Sequence, residues 1–251
     1  MRSGTAHFRF YEELNDFLPP EKRKKSFPHV FPLTASIKDV IESLGVPHAE
    51  IDLILVNGKS VDFSYPLSDG DHVSVYPVFE SLDITSITRL HPGPLRKPCF
   101  ILDVHLGKLA RYLRLLGFDT LYDTHYKDSE IVDLAQREHR IILTRDIGIL
   151  KNKQVTHGYW LRETQPKKQV VEIIRRFDLV RQCKPFTRCL ECNGKIIPLS
   201  QENNIIQPVP PGVKEMQDQF FQCESCLRLY WQGTHYSKLK TFVDTLLDKN
   251  K

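Results

Sequence analysis

Apolar and polar positions alternate along the first third of the chain and gather into short blocks beyond it. HFRFY (7–11) and SFPHVF (26–31) read as two strands joined by a loop. SIKDVIESLG (36–45) changes to the helical period. Ile37, Val40, Ile41 and Leu44 share one face, Ser36 is placed to cap the start, and Gly45 stands past the end. IDLILVNGKSVDF (51–63) is a strand that turns at Asn57-Gly58 and comes back, and DGDHVSVYPVF (69–79) is a last strand.

The pattern breaks in a linker, 81–98, which carries Pro92-Gly93-Pro94 and Pro98 and the basic residues Arg89, Arg96 and Lys97. Phe100-Ile101-Leu102 then reads as a buried strand. It leads into a helix over 106–116 with Leu106, Leu109, Ala110, Leu113 and Leu116 on one face, and Gly117 stops it. On this helix Lys108, Arg111 and Arg114 fall away from the apolar stripe. A second strand is expected over 119–123, a helix opening at Asp128-Ser129, a third strand over 141–144 and a fourth over 158–161. A helix over 166–177 turns Val170, Ile173, Ile174 and Phe177 inward. Strands alternating with helices at this spacing predict βαβ units and a parallel sheet. The tail, 237–251, reads as an amphipathic helix with Leu239, Phe242, Val243 and Leu246 on its apolar side.

The order β-β-α-β-β with an Asn-Gly turn after the helix resembles the ubiquitin-like β-grasp fold, in particular the small sulfur-carrier-like members. Those carriers act through a free C-terminal Gly-Gly. Here the last strand runs on into Glu80-Ser81-Leu82, so the resemblance implies a docking or stabilising module, or a site for a protein partner, rather than a carrier.

Charge divides the chain in the same place. Residues 1–80 hold 8 Lys/Arg against 12 Asp/Glu, a balance of −4, whereas residues 81–251 hold 27 against 19, a balance of +8. A basic body favours a polyanionic partner such as nucleic acid, although a solvated surface excess gives the same count. No apolar run approaches the about 20 residues of a membrane helix, and the first residues carry no secretory pattern. The expectation is a cytoplasmic protein with no membrane association. In that setting CLEC (Cys189–Cys192) and CESC (Cys223–Cys226) read as metal ligands before disulfides. Four thiolates close a tetrahedron around a structural Zn²⁺. The 30-residue insert between the pairs (193–222) fits a zinc ribbon with a long spacer. A pair of redox dithiols is the other reading of CxxC, but such sites start a helix after a strand, which neither pair does.

Acids mark the ends of the parallel strands. Asp103 follows the first and Asp146 the third, and Asp128 and Glu130 open the helix between them. Carboxylates at the carboxyl ends of such strands face the crevice where open α/β sheets bind ligands, and anions held close need a cation between them. That points to Mg²⁺ or Mn²⁺. Each acid also has an ordinary role open to it, as a helix cap or a first-turn acid. Lys108, Arg111, Arg114 and Arg145 are candidates to meet substrate phosphates. Arg145 adjoins Asp146 and can equally pair with it. Tyr230, Trp231, His235 and Tyr236, with Lys238 and Lys240 nearby, can stack bases or pack the ribbon onto its neighbour.

FILDVHLGKLARYLRLLGFDT, then DSEIVDLA, RIILTRD and a four-cysteine ribbon closing with LYWQGTH together resemble the Mut-seven C-terminal RNase domain family, PIN-like nucleases with an added zinc ribbon. The resemblance covers roughly 99–238, and bacterial members often carry a ubiquitin-like domain in front. It implies a ubiquitin-like domain over 1–80, a linker over 81–98, a PIN-like nuclease domain over 99–183, and a ribbon with a terminal helix over 184–251. It implies a metal-dependent ribonuclease that hydrolyses phosphodiesters of RNA (tRNA or another structured RNA among them). Asp103, Glu130 or its neighbour Asp128, and Asp146 would hold Mg²⁺ or Mn²⁺, and Thr144 would orient a ligand. PIN nucleases often place a fourth acid close to the last one; here the second position on is Gly148. That departure is what a non-catalytic RNA-binding adaptor with the same fold would show.

Overall fold

The computed structural model of the chain describes residues 2–79, 84, 86–90, 97–199 and 219–249. Pro92-Gly93-Pro94 and Arg96 of the linker, and most of the insert between the cysteine pairs, lie outside the described residues. The chain divides into two compact units. The first joins Met1–Lys97 to Asp128–Trp160, and the second joins Pro98–Lys127 to Leu161–Lys251. Among the described residues no helix is long and apolar enough to cross a membrane.

The first unit opens with the β-grasp. Strands β1 (Ser3–Phe10), β2 (Phe27–Pro32), β3 (Ile51–Val56), β4 (Lys59–Ser60) and β5 (His72–Pro77) lie in the order β2-β1-β5-β3-β4. Neighbours are antiparallel except β1 and β5, which run parallel. Helix α1 (Ile37–Ser43) starts where the sequence places it. Ser36 Oγ accepts the Asp39 N–H while the Asp39 carboxylate accepts the Ser36 N–H, a reciprocal capping box. Asn57 and Gly58 both take positive φ, as the two-residue hairpin turn requires. Phe8, Phe10, Phe31, Ile37, Ile41, Ile54 and Val75 are fully buried in the core between α1 and the sheet.

The same unit contains helix α3 (Asp128–Glu138), strand β8 (Ile141–Thr144), the short helix α4 (Ile147–Leu150) and strand β9 (Gly158–Trp160). Strands β8 and β9 pair in parallel. The β-grasp is fastened to this segment rather than tethered loosely. The buried Glu50 carboxylate accepts the Trp160 backbone N–H. His48 Nε2 lies 2.9 Å from the Val155 carbonyl, and Lys151 Nζ donates to the Glu42 carbonyl at 3.0 Å. Phe17 packs on the Trp160 ring at 5.3 Å.

The second unit holds β6 (Phe100–Leu102), α2 (Gly107–Leu115), β7 (Thr120–Leu121), α5 (Pro166–Arg176) and the ribbon strands β10 (Ile196–Pro198), β11 (Phe220–Cys223) and β12 (Leu229–Trp231). Strands β6 and β7 are parallel, and the ribbon is an antiparallel meander in the order β10-β11-β12. Phe100 meets Phe118 and Phe177 edge-on at 6.0 and 5.9 Å, which seals the strand between α2 and α5. Gly117 does more than stop α2. Its φ is +93°, and a Cβ there would lie 2.2 Å from the Lys184 carbonyl oxygen. The terminal helix α6 (Thr234–Asp248) begins three residues before the expected 237, because Gly233 serves as its N-cap and Tyr236 packs on Phe186 at 4.6 Å. With parallel strand pairs in each unit, a β-grasp in front and a ribbon behind, the α/β architecture expected from the sequence is present.

Candidate functional site

Asp103 leaves β6 at its carboxyl end and is 7% exposed, a buried acid on a buried strand. The turn behind it is held by Tyr122, whose hydroxyl donates to the Val104 carbonyl at 2.8 Å. Gly107 makes room for that ring, since a Cβ at this position would lie 2.6 Å from the Tyr122 oxygen. Asp128 and Glu130 occupy the first turn of α3 and are exposed, and Asp128 is the first helical residue rather than the residue before it.

Asp146 follows β8 and caps α4. Its Oδ1 accepts the Gly148 N–H at 2.7 Å, and its own N–H is donated to Thr144 Oγ1 at 2.8 Å. Thr144 is fully buried, so a rigid hydroxyl sets the direction in which the chain leaves the strand. A cap was one of the roles open to this acid in the sequence, whereas α4 itself was not read there. The signal for both was the tripeptide Asp146-Ile147-Gly148, an Asp two residues before a Gly, which suits an Asx-type turn. Arg145 is exposed, and its backbone carbonyl accepts the Trp160 indole N–H at 3.2 Å.

Among the described residues, one set of side chains has metal-ligand geometry: Cys189, Cys192, Cys223 and Cys226, whose sulfurs all lie within 4.8 Å of one another. A zinc tetrahedron with bonds of about 2.3 Å has edges of about 3.8 Å. Cys189 to Cys226 at 3.6 Å and Cys192 to Cys223 at 3.4 Å fit it. The knuckles close tightly because Gly194 has no side chain: a Cβ there would lie 2.8 Å from the Cys223 sulfur. Tyr230 sits behind the first knuckle, with its oxygen 3.0 Å from the Cys189 sulfur and accepting the Leu190 N–H at 3.2 Å. Burial opposes ionisation of Cys189, but hydrogen bonds from the Cys192 N–H and the Tyr230 hydroxyl outweigh it and draw its pKa down to about 7. Burial and the neighbouring sulfurs push Cys192 up to about 12. Four thiols this close cannot all ionise alone, and a divalent cation among them removes that cost.

Of the four candidate phosphate contacts, Lys108 and Arg111 are exposed on α2, and Arg111 pairs with Glu191 at 2.7 Å. Arg114 corrects the helical-face reading. It is 3% exposed, and its guanidinium donates to the carbonyls of Thr120 (2.9 Å), Leu190 (3.1 Å) and Glu191 (2.6 Å). A cation that looked solvent-facing on the isolated helix instead binds the first knuckle to α2. Asn193 reinforces the joint by accepting the Thr120 N–H at 2.9 Å and donating to Asp119 at 2.9 Å. Its φ of +68° is one that Asn tolerates.

Comparison with known proteins agrees with these elements. The family model of the Mut7-C RNAse domain matches residues 98–243, and that of the Mut7-C ubiquitin domain matches residues 3–83. No curated protein matches the chain. Two solved structures from Haloferax volcanii are similar to about a third of it. The solution structure of the HVO 2177 protein is 23% identical over 32% of this chain and 88% of that one, with a TM-score of 0.25. The crystal structure of SAMP1 is 14% identical over 32% of this chain and 100% of that one, with a TM-score of 0.26. The buried acid at the end of β6, the four-cysteine cluster and the family match over 98–243 lead to one conclusion: the chain belongs to the Mut7-C RNAse domain family and carries a Mut7-C ubiquitin domain in front.

Proposed function

We propose that the chain is a divalent-metal-dependent ribonuclease of the cytoplasm whose ribbon is held by a structural zinc ion. The observation that carries the reading is the RNAse-domain match over 98–243, which includes every acid singled out from the sequence. Asp103, Asp128, Glu130 and Asp146 supply only oxygen donors, the chemistry that Mg²⁺ or Mn²⁺ selects, whereas the sulfur cluster suits zinc. Two CxxC pairs arranged to hold a metal rather than to close disulfides suit a reducing compartment.

A bound divalent ion would lower the pKa of a coordinated water and offset charge on the leaving oxygen. The chain's own residues set the rest. Asp103 offers a carboxylate held on a buried strand end. The Gly148 N–H and the Thr144 hydroxyl hold Asp146 in one orientation. Lys108, Arg111 and Arg145 are cations available to the phosphates of a polyanion.

The test is turnover of a labelled RNA pool by the zinc-loaded chain with Mn²⁺ or Mg²⁺, comparing wild type with Asp103→Asn and Asp146→Asn. The expected result is loss of cleavage in both variants with zinc content unchanged. Equal cleavage by all three would point to a contaminant, and tight, salt-sensitive binding with no cleavage by wild type would leave an RNA-binding adaptor.

A further inference from the structure

A second feature of the second unit lies beside the zinc knuckles and shares Tyr230 and Leu190 with their surroundings. A groove of about 820 Å³ opens between α2, the ribbon and the start of α6. Its cations come from α2 (Lys108, Arg111) and from the ribbon (Arg188, Arg228), and among the described residues no carboxylate lines it. Its aromatic lining includes Tyr230, Trp231 and Tyr236, beside Tyr112, Phe186 and Phe221. Trp231 ends β12 and is half-buried, and Gly233 spares its indole a side chain: a Cβ at 233 would lie 2.9 Å from Nε1. Glu191 stands behind the cations, 2.7 Å from Arg111 and 3.9 Å from Arg228. Both pairs are exposed, and such pairs are weak enough for an incoming phosphate to displace.

Flat rings beside cations, with Asp119 holding Arg188 at 3.0 Å and no carboxylate in the lining itself, match a single-stranded nucleic acid. Unpaired bases stack on aromatic side chains without regard to sequence, and the backbone follows the charge. A duplex hides its base faces and has no use for the rings. We propose that this groove binds unpaired nucleotides of the RNA substrate, with bases against Trp231 and phosphates on Lys108 and Arg228. This rests on the ribonuclease reading above and adds a preference for single-stranded segments of that substrate.

The test is fluorescence anisotropy of a labelled oligouridylate titrated with the full zinc-loaded chain, without added Mg²⁺ or Mn²⁺ and with the probe checked intact on a gel. Trp231→Ala is expected to weaken binding by about tenfold to a hundredfold, and Trp231→Phe to restore most of it. Lys108→Ala is expected to reduce the slope of log K against log salt by about 0.7, one phosphate contact on a single strand. Duplex RNA of the same length should compete poorly. If Trp231→Ala loses zinc, Gly233→Ala replaces it, since that Cβ crowds the indole outside the knuckles. A zinc-loaded variant of either kind that binds oligouridylate like wild type overturns the proposal, as does duplex RNA that competes as well as the single strand. Cleavage is scored separately with Mn²⁺. Groove-dependent binding without cleavage would sink the ribonuclease reading alone, and cleavage with groove-independent binding would sink the groove alone.

Discussion

Gly148 donates its backbone N–H to Oδ1 of Asp146 at 2.7 Å, and a Cβ on Gly148 would stand 3.0 Å from that same oxygen. The position at which the sequence lacks a further acid is therefore the position that holds Asp146 in place. Gly148→Ala is expected to turn the Asp146 carboxylate and reduce RNA turnover by about tenfold to a hundredfold, the usual cost of a misplacement near 1 Å. Gly148→Asp should do the same rather than add a ligand. Steady-state cleavage at saturating Mn²⁺, with melting curves to show that both variants are folded, checks this. A Gly148→Asp protein more active than wild type would show that the extra acid joins the site.

Arg114 and the first knuckle should be thermodynamically coupled. The guanidinium uses the Leu190 and Glu191 carbonyls, which lie within the knuckle that a metal on Cys189 and Cys192 would frame. Arg114→Lys replaces a fork of donors with one ammonium and should cost about 2–3 kcal/mol. Chelation should release one zinc per chain and unfold the ribbon. In the chelated protein Arg114→Lys should cost clearly less, because two of its three acceptors have lost their frame. Urea unfolding of both proteins with and without metal measures the coupling; equal costs in the two states would refute it.

The β-grasp should contribute stability to α4 and β9. Glu50→Ala leaves the Trp160 N–H without its carboxylate acceptor, a loss of about 1–3 kcal/mol. Hydrogen exchange gives the local signature: amides of Lys151 and Val155 should exchange faster in Glu50→Ala, while those of β1 and β2 stay protected. Unchanged protection at Lys151 and Val155 would mean that the contact does no stabilising work.

Cys183 should be a slow thiol. Burial pushes its pKa up to about 11, and its sulfur lies 3.4 Å from the Leu179 carbonyl. Alkylation requires the thiolate, so at pH 8 the zinc-loaded chain should react at Cys183 on the order of a hundredfold more slowly than an ordinary thiol of pKa about 8.5. Because the folded pKa is raised, the rate should keep climbing about tenfold per pH unit above pH 8 and level only near 11. Mass-spectrometric labelling rates between pH 7 and pH 10 test it. A plateau near pH 9 would show that the thiol is in water.

Local sequence was enough to recover the strands of the β-grasp, the cap at Ser36, the parallel strands that end at Asp103 and Asp146, and the two cysteine pairs. Each of these is a property of a few consecutive residues: alternation follows the pleat, the 3.6 period follows the helix, and CxxC follows the reach of one turn. The family resemblance came from the same short motifs. Arg114 shows where that information stops. On the isolated helix it lies off the apolar stripe, yet carbonyls more than seventy residues away cover it. A helix has one sequence but as many covered faces as it has neighbours, so the burial of a residue outside the apolar stripe is set by distant chain. The fastening of Glu50 to Trp160 and the groove beside Trp231 were decided in the same way. Each depends on a close approach between segments, made possible by glycines whose missing side chains can be counted in the sequence but whose neighbours cannot.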